Sequence, residues 1–175
     1  MESLNQIAIR EGLPTDAESM LQIQREVIEE EDFLLTDPAE FNKTADDQKQ
    51  WIRRILQNGR EKILIAEVDG KMAGWLVFQS PNRLRLNHTG SFGMMVEKEY
   101  RNMQIGRKLL EALLIWAENH LEIEKVCLGV LSTNERAIHL YRSLGFVEEG
   151  RKVDEVKIGE RYVDDILMYK RVKKG

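Results

Sequence analysis

Residues 63–78 constrain the fold more than any other stretch of the chain. Two apolar runs, Ile63-Leu64-Ile65-Ala66-Glu67-Val68 and Met72-Ala73-Gly74-Trp75-Leu76-Val77-Phe78, meet at Asp69-Gly70. An Asp-Gly pair between strand-like runs supplies the positive φ angles of a tight hairpin, so the two runs become antiparallel neighbours. The period then changes. From Ile105, residues Leu109, Leu110, Leu113, Trp116, Ala117 and Leu121 recur at helical spacing, and Lys125 to Leu131 returns to a short β-branched and apolar run. A strand, a helix and another strand in succession imply a parallel crossover beside the hairpin, hence a mixed α/β sheet.

The flanking segments extend this order. Ile7 to Arg10 reads as an opening strand. Asp16 stands in an N-cap position ahead of the stripe Met20, Ile23, Val27 and Ile28, and the run Glu29 to Asp32 closes that helix. A second helix starts near Thr44 to Asp46, presents Trp51, Ile52, Ile55 and Leu56, and stops at Asn58-Gly59. His88 to Val96 is a further strand. Asn134 opens a helix through Ala137, Ile138, Leu140 and Tyr141 that Gly145 ends. Phe146 to Lys157 and Glu160 to Lys170 form two last strands, turning at Ile158-Gly159. The sum is β-α-α-β-β-β-α-β-α-β-β, about seven strands and four helices. No repeat or linker-like tract divides the chain, so residues 1–175 are expected to form one domain.

Composition bounds the partners. The longest uninterrupted apolar run, Ala112 to Ala117, is far short of the roughly 20 residues of a spanning helix, so no membrane association is expected. MESLNQIAIR lacks a secretory pattern, and the single Cys127 has no disulfide partner, giving a cytoplasmic expectation. Cys127 reads as small apolar filling. His88, His120 and His139 have no ligand spacing, so no metal is expected. With 26 basic and 30 acidic residues the net charge is -4, which argues against nucleic acid as a partner. It leaves room for one phosphate-bearing ligand held locally.

Such a place exists. The segment Val96 to Leu110 joins a strand to a helix and concentrates Arg101, Arg107 and Lys108 where unpaired N–H groups and the helix dipole favour an anion. The same segment also reads as an ordinary loop with solvated basic residues, and its glycine spacing fits neither a Walker A loop nor a dinucleotide fingerprint. A second constellation runs from Asn134 to Phe146. Asn134 caps a helix with a side chain that also suits a ligand amide. Ala137 and Tyr141 share one face, and Tyr141 reads either as core packing or as a proton donor.

These two segments carry a resemblance to the GNAT superfamily of acetyl-CoA-dependent N-acetyltransferases, over about Ile7 to Val172. The first motif is Arg101-Asn-Met-Gln104-Ile-Gly106. The second, Asn-x-x-Ala-x-x-Leu-Tyr-x-x-x-Gly-Phe, is met in full from Asn134 to Phe146. His88-Thr-Gly-Ser-Phe-Gly93, Glu149-Gly150 and Gly159 to Asp164 are similar to the branch of amino-acid and small-amine acetyltransferases.

The resemblance implies a mostly antiparallel, twisted sheet whose central strands splay around the acyl-CoA, with a bulge near Met94, Met95 and Val96. It implies cofactor contacts from those three residues, from Arg101, Asn102, Met103, Gln104, Ile105, Gly106 and Arg107, and from Asn134, Ala137 and Tyr141. A backbone N–H near Met95 is expected at the acyl oxygen, and Tyr141 as general acid to the leaving thiolate. Two positions depart from the pattern. Gln104 stands where glycine is usual, and a reshaped phosphate loop is expected there. Gly129 stands where the ribosomal-protein acetyltransferase branch has a glutamate base. The proton acceptor is therefore open between His88 and a water chain. Glu30, Glu31 and Asp32, with Glu29, read either as a solvated face or as attraction for a cationic amine. The resulting expectation is acetyl transfer to a small-molecule amine. The alternatives are a peptide or ribosomal-protein amine, and a non-catalytic acyl-CoA-binding sensor. Homodimerisation stays open.

Overall fold

The computed structural model describes residues 4–173. The Asp69-Gly70 turn joins β2 (Lys62–Val68) to β3 (Lys71–Gln79), both turn residues taking positive φ. Around this hairpin lie β1 (Ile7–Glu11), β4 (Thr89–Val96), β5 (Lys125–Leu131), β6 (Val147–Ile158) and β7 (Arg161–Arg171), in one sheet of order β1-β2-β3-β4-β5-β7-β6. Every neighbouring pair is antiparallel except β4 and β5. The long hairpin of β6 and β7 inserts β7 against β5, which leaves β6 at the edge.

Four helices cover the sheet: α1 (Ala17–Glu29), α2 (Ala45–Leu56), α3 (Ile105–Asn119) and α4 (Glu135–Ser143). Successive strand residues point to opposite faces, and two apolar clusters result. Ile63, Ile65 and Trp75 pack with Met20, Ile23, Ile52 and Ile55 of α1 and α2. Leu64, Leu76, Phe78 and Phe92 pack with Leu109, Leu110 and Leu113 of α3 and with Ile138 of α4. Truncating one of these buried side chains to alanine typically costs about 2–5 kcal/mol, so the two layers hold the sheet in place. No described helix is long and apolar enough to cross a membrane.

Local details depart from expectation in three places. Asp16 does not cap α1 with its side chain. It accepts instead from Leu13 N and from both terminal nitrogens of Arg10, because a short 3-10 turn, Pro14–Asp16, intervenes. Leu121 lies beyond the end of α3 and is 96% exposed, outside the apolar stripe. The bulge expected on β4 is absent: β3 and β4 keep a continuous register from Gly74↔Val96 to Gln79↔Ser91. A register shift falls instead between β2 and β3, where Ala66 pairs with Gly74 and Glu67 with Met72 so that Ala73 is the extra residue, and β6 carries two more shifts against β7. Gly74 makes this closeness possible, since a Cβ there would stand 2.6 Å from the Met95 carbonyl oxygen.

Candidate functional site

The parallel pairing of β4 with β5 covers only Thr89↔Lys125, Gly90↔Val126 and Ser91↔Cys127. Beyond Ser91 the two strands diverge, and Phe92 to Val96 lose their partner on the β5 side. A strand edge without a partner presents N–H and C=O groups from alternate residues. Here they border a cavity of about 810 Å³, lined by both strands, by the loop before α3 and by α4.

The α3 N-terminus opens on this cavity. Gln104 precedes the helix with no side-chain cap, and the first turn holds no acidic residue. Thr44 and Asn134, by contrast, cap α2 and α4 with their side chains. The first amides of α3 therefore remain available to an anion. Gly106 lets that turn rest on the strand, since a Cβ there would stand 3.3 Å from Met94 Cε. Gln104 itself is left-handed, with φ 61 and ψ 25, and Asn102 has φ 74. The loop thus keeps the left-handed turn at position 104 despite the missing glycine; the substitution adds strain and does not abolish the conformation.

Met94, Met95, Val96, Arg101, Asn102, Gln104, Ile105, Gly106, Arg107, Asn134, Ala137 and Tyr141 all line the cavity. Met103 does not: its side chain packs against the core. Asn134 Oδ1 accepts from Ala137 N at 3.2 Å, which leaves its amide nitrogen as a donor toward the cavity. Tyr141 is 8% exposed and packs edge-on against Phe92 and Phe146. Burial pushes its phenol up to about 12, so it stays protonated at any ordinary pH. Its hydroxyl has no protein partner among the described residues.

Several side chains lie elsewhere than expected. Arg101 donates bidentately to Glu30, donates from Nε to the Val96 carbonyl oxygen at 3.2 Å and stacks over Phe33. Its guanidinium positions the loop, and Glu30 is occupied by it. Glu31 and Asp32 are exposed and outside the lining; the segment of that connection that does face the cavity is apolar, Phe33, Leu34 and Leu35, with Thr36. Arg107 donates to Ser143 Oγ at 2.7 Å. His88 sits just before β4, where its carbonyl receives Glu124 N and Lys125 N. Met95 lies seven residues further on, roughly 23 Å along an extended strand, and His88 is not part of the lining. The structure does not bring it to the Met95 end of β4.

Among the lining residues that the sequence reading did not place at the site are Asp165 on β7, and Arg136 and His139 on α4. Arg136 donates to Asn102 Oδ1 at 2.6 Å, which ties α4 to the left-handed loop. Its place in the first turn of α4, two residues after the Asn134 cap, was the available signal. Asp165 had none, since its position follows from the pairing of β7 with β5. Cys127 is half-buried on β5, and burial raises its thiol above the ordinary range. Among the described residues no group of three or more His, Cys, Asp or Glu is arranged to hold a metal.

Comparison with known proteins follows the same outline. The model of the acetyltransferase (GNAT) family matches residues 24–146. An L-amino acid N-acetyltransferase of Escherichia coli is 30% identical over 119 residues, 67% of this chain and 73% of the relative. A spermidine N(1)-acetyltransferase of Vibrio cholerae is 27% identical over 67% of this chain and 66% of that protein. The matched segment is thus about two thirds of each relative. Among solved structures, a GNAT-family acetyltransferase from Streptococcus pneumoniae superposes with a TM-score of 0.89 at 29% identity, covering 95% of this chain and 99% of the other. A Salmonella typhimurium protein solved with acetyl-CoA as its cofactor shares the fold, with a TM-score of 0.88 at 20% identity, covering 97% and 96%.

Proposed function

Since the chain belongs to the acetyltransferase (GNAT) family and is an N-acetyltransferase, we propose that it moves an acetyl group from acetyl-CoA to a primary amine of a small molecule, by direct attack in a ternary complex. The observation that carries the reading is the end of β4–β5 pairing at Ser91 and Cys127, which opens the edge of β4 onto a cavity that also receives the uncapped α3 N-terminus. The relatives that act on amino acids and on spermidine support the class of acceptor.

Acetyl-CoA brings the activated thioester; the chain supplies the rest. The backbone of Met94 to Val96 offers sheet-like hydrogen bonds to the amide-bearing arm. The N–H groups of the loop and of the first turn of α3 donate to the pyrophosphate, with the helix dipole adding to them. Asn134 Nδ2 donates toward the same arm. An N–H of the open edge beside Met95, at Met94 or Val96, stabilises charge on the acyl oxygen, since the register turns the Met95 N–H itself toward Trp75 of β3. Loss of one such donor in acyl transfer costs about 3–4 kcal/mol. Tyr141 donates its phenolic proton to the departing sulfur. Because it holds that proton tightly, its contribution is a strong hydrogen bond to the thiolate, and transfer to sulfur completes as the amine passes its own proton through water to solvent.

Initial rates of thiol release test the reading with amino acids, diamines, polyamines and short peptides in the presence of acetyl-CoA. The expected result is saturable turnover of at least one small amine, with intersecting double-reciprocal lines. Parallel lines overturn direct transfer. Turnover confined to peptides replaces the small-amine acceptor.

A further inference from the structure

Asp165 is the single carboxylate in the cavity lining among the described residues. It lies opposite Leu131 across β5 and β7, and its diagonal neighbour Gly129 lies opposite Leu167. Leu128 and Val130 belong to the cluster under α3 and α4, so by strand alternation Gly129 and Leu131 face the other side of the sheet, and Asp165 faces it with them. Met95 packs on that same side, against the α1 and α2 cluster. A Cβ built on Gly129 would meet Asp165 Oδ1 at 3.1 Å. Glycine on β5 therefore yields its side-chain space to a carboxylate from β7.

The neighbouring charges are engaged elsewhere. Asp164 accepts from Arg151 and from Asp154 N. Lys152, directly across β6 from Asp165, has its ammonium 4.0 Å from Glu155. Asp165 itself makes no side-chain hydrogen bond or ion pair among the described residues. The guanidinium groups of the lining also hold protein acceptors: Arg101 has Glu30, Arg107 has Ser143, and Arg136 has Asn102. Arg101 is thereby neutralised, while Arg107 and Arg136 are each held by a single hydrogen bond to a neutral acceptor, so among the described residues Asp165 is the one carboxylate of the lining and faces the cavity without a protein cation of its own.

We infer that Asp165 is the residue that binds the acceptor's ammonium group, and that the acceptor is a cationic alkylamine, a diamine or polyamine, in preference to a zwitterionic amino acid. The inference rests on the small-amine reading above. Asp165 holds one ammonium of the acceptor, so that its other nitrogen, uncharged, reaches the open edge of β4, and Gly129 keeps the approach clear.

The test is steady-state kinetics of the full chain at saturating acetyl-CoA, with 1,4-diaminobutane, spermidine and a set of α-amino acids. The unsubstituted protein should show kcat/KM for the diamine or polyamine at least about tenfold above any amino acid. Loss of one charge-assisted contact corresponds to about a 10- to 100-fold rise in amine KM for Asp165→Asn. The KM for acetyl-CoA should stay within about twofold, and Asp165→Glu should recover part of the loss. Asp165→Ser serves as a second variant, with thermal unfolding reporting that both variants keep the sheet. An unchanged amine KM in Asp165→Asn, an equal loss in acetyl-CoA affinity, or a preference for amino acids overturns the inference while leaving acetyl transfer to small amines intact. Failure of the unsubstituted protein to turn over any amine of the set overturns the small-amine reading, and this inference with it.

Discussion

The Glu30 carboxylate accepts two hydrogen bonds from the Arg101 guanidinium, Nη1 to Oε2 and Nη2 to Oε1, each 2.8 Å long. The pair ties the end of α1 to the loop that leads into α3. A carboxylate at a helix C-terminus is disfavoured by the dipole, and Arg101 offsets that cost. If the two act as one positioning unit, Glu30→Gln and Arg101→Gln should raise the Kd for acetyl-CoA by similar factors. A double-mutant cycle on unfolding free energy should give a coupling of about 1–2 kcal/mol for this partly buried bidentate pair. A much larger affinity loss for Arg101→Gln alone would mean that the guanidinium contacts phosphate directly.

Tyr141 is packed by Phe92 and Phe146 and keeps its hydroxyl free of protein partners, so ring and hydroxyl separate cleanly in a Tyr141→Phe variant. The variant should keep its thermal midpoint within a few degrees and its acetyl-CoA affinity within about threefold. Its kcat should fall by about 10²-fold or more, in the range of general acid catalysis. With the phenol pushed up to about 12, the kcat profile of the unsubstituted protein should show no alkaline limb from this group below about pH 11. Equal losses in kcat and in acetyl-CoA affinity would assign Tyr141 to packing.

Gln104 holds a left-handed backbone at the start of α3. A non-glycine residue costs on the order of 1–2 kcal/mol there, and glycine returns part of that as unfolded-state entropy. Gln104→Gly should therefore raise stability by about 0.5–1 kcal/mol in urea unfolding, whereas Gln104→Val should lower it by more than about 1 kcal/mol. A destabilised glycine variant would show that the Gln104 side chain contributes a contact of its own.

Asp16 contributes a pH-dependent part of the stability. Burial opposes its ionisation most strongly, but the bonds from Arg10 and Leu13 N and the Arg10 charge together outweigh burial and hold the carboxyl below the usual range. A carboxyl depressed in the folded state stabilises above its unfolded value, about 3.9, and that stability is lost as pH falls through the folded value. Asp16→Asn should therefore cost about 1–3 kcal/mol at pH 7, and the difference from the unsubstituted protein should shrink progressively below about pH 4. A difference independent of pH would assign the effect to packing alone.

Much of the fold was legible because its signals act between near neighbours. The Asp69-Gly70 turn, the stripe from Leu109 to Ala117 and the Asn134 cap each depend on residues a few positions apart, so their periods and side-chain chemistry suffice. The same holds for the Asn134 to Phe146 motif, whose Asn134, Ala137 and Tyr141 reach the cavity through the pitch of a single helix. Misplacements arose where a residue's partner is distant in the chain. His88 precedes β4 and Met95 stands near its far end, so the strand's length separates them. Arg101 lines the cavity as expected, but that its guanidinium is paired followed only when the fold brought Glu30 to it from the end of α1. Asp165 acquires its place only because β7 inserts between β5 and β6 and sets its carboxylate over Gly129. Sequence alone determined the elements, the hairpin of β2 and β3 and the motif-bearing side of the cavity, because local periodicity and backbone preference encode them. Tertiary structure decided which charges are paired and which carboxylate faces the cavity, because those depend on strand register and on contacts between segments that local chemistry does not specify.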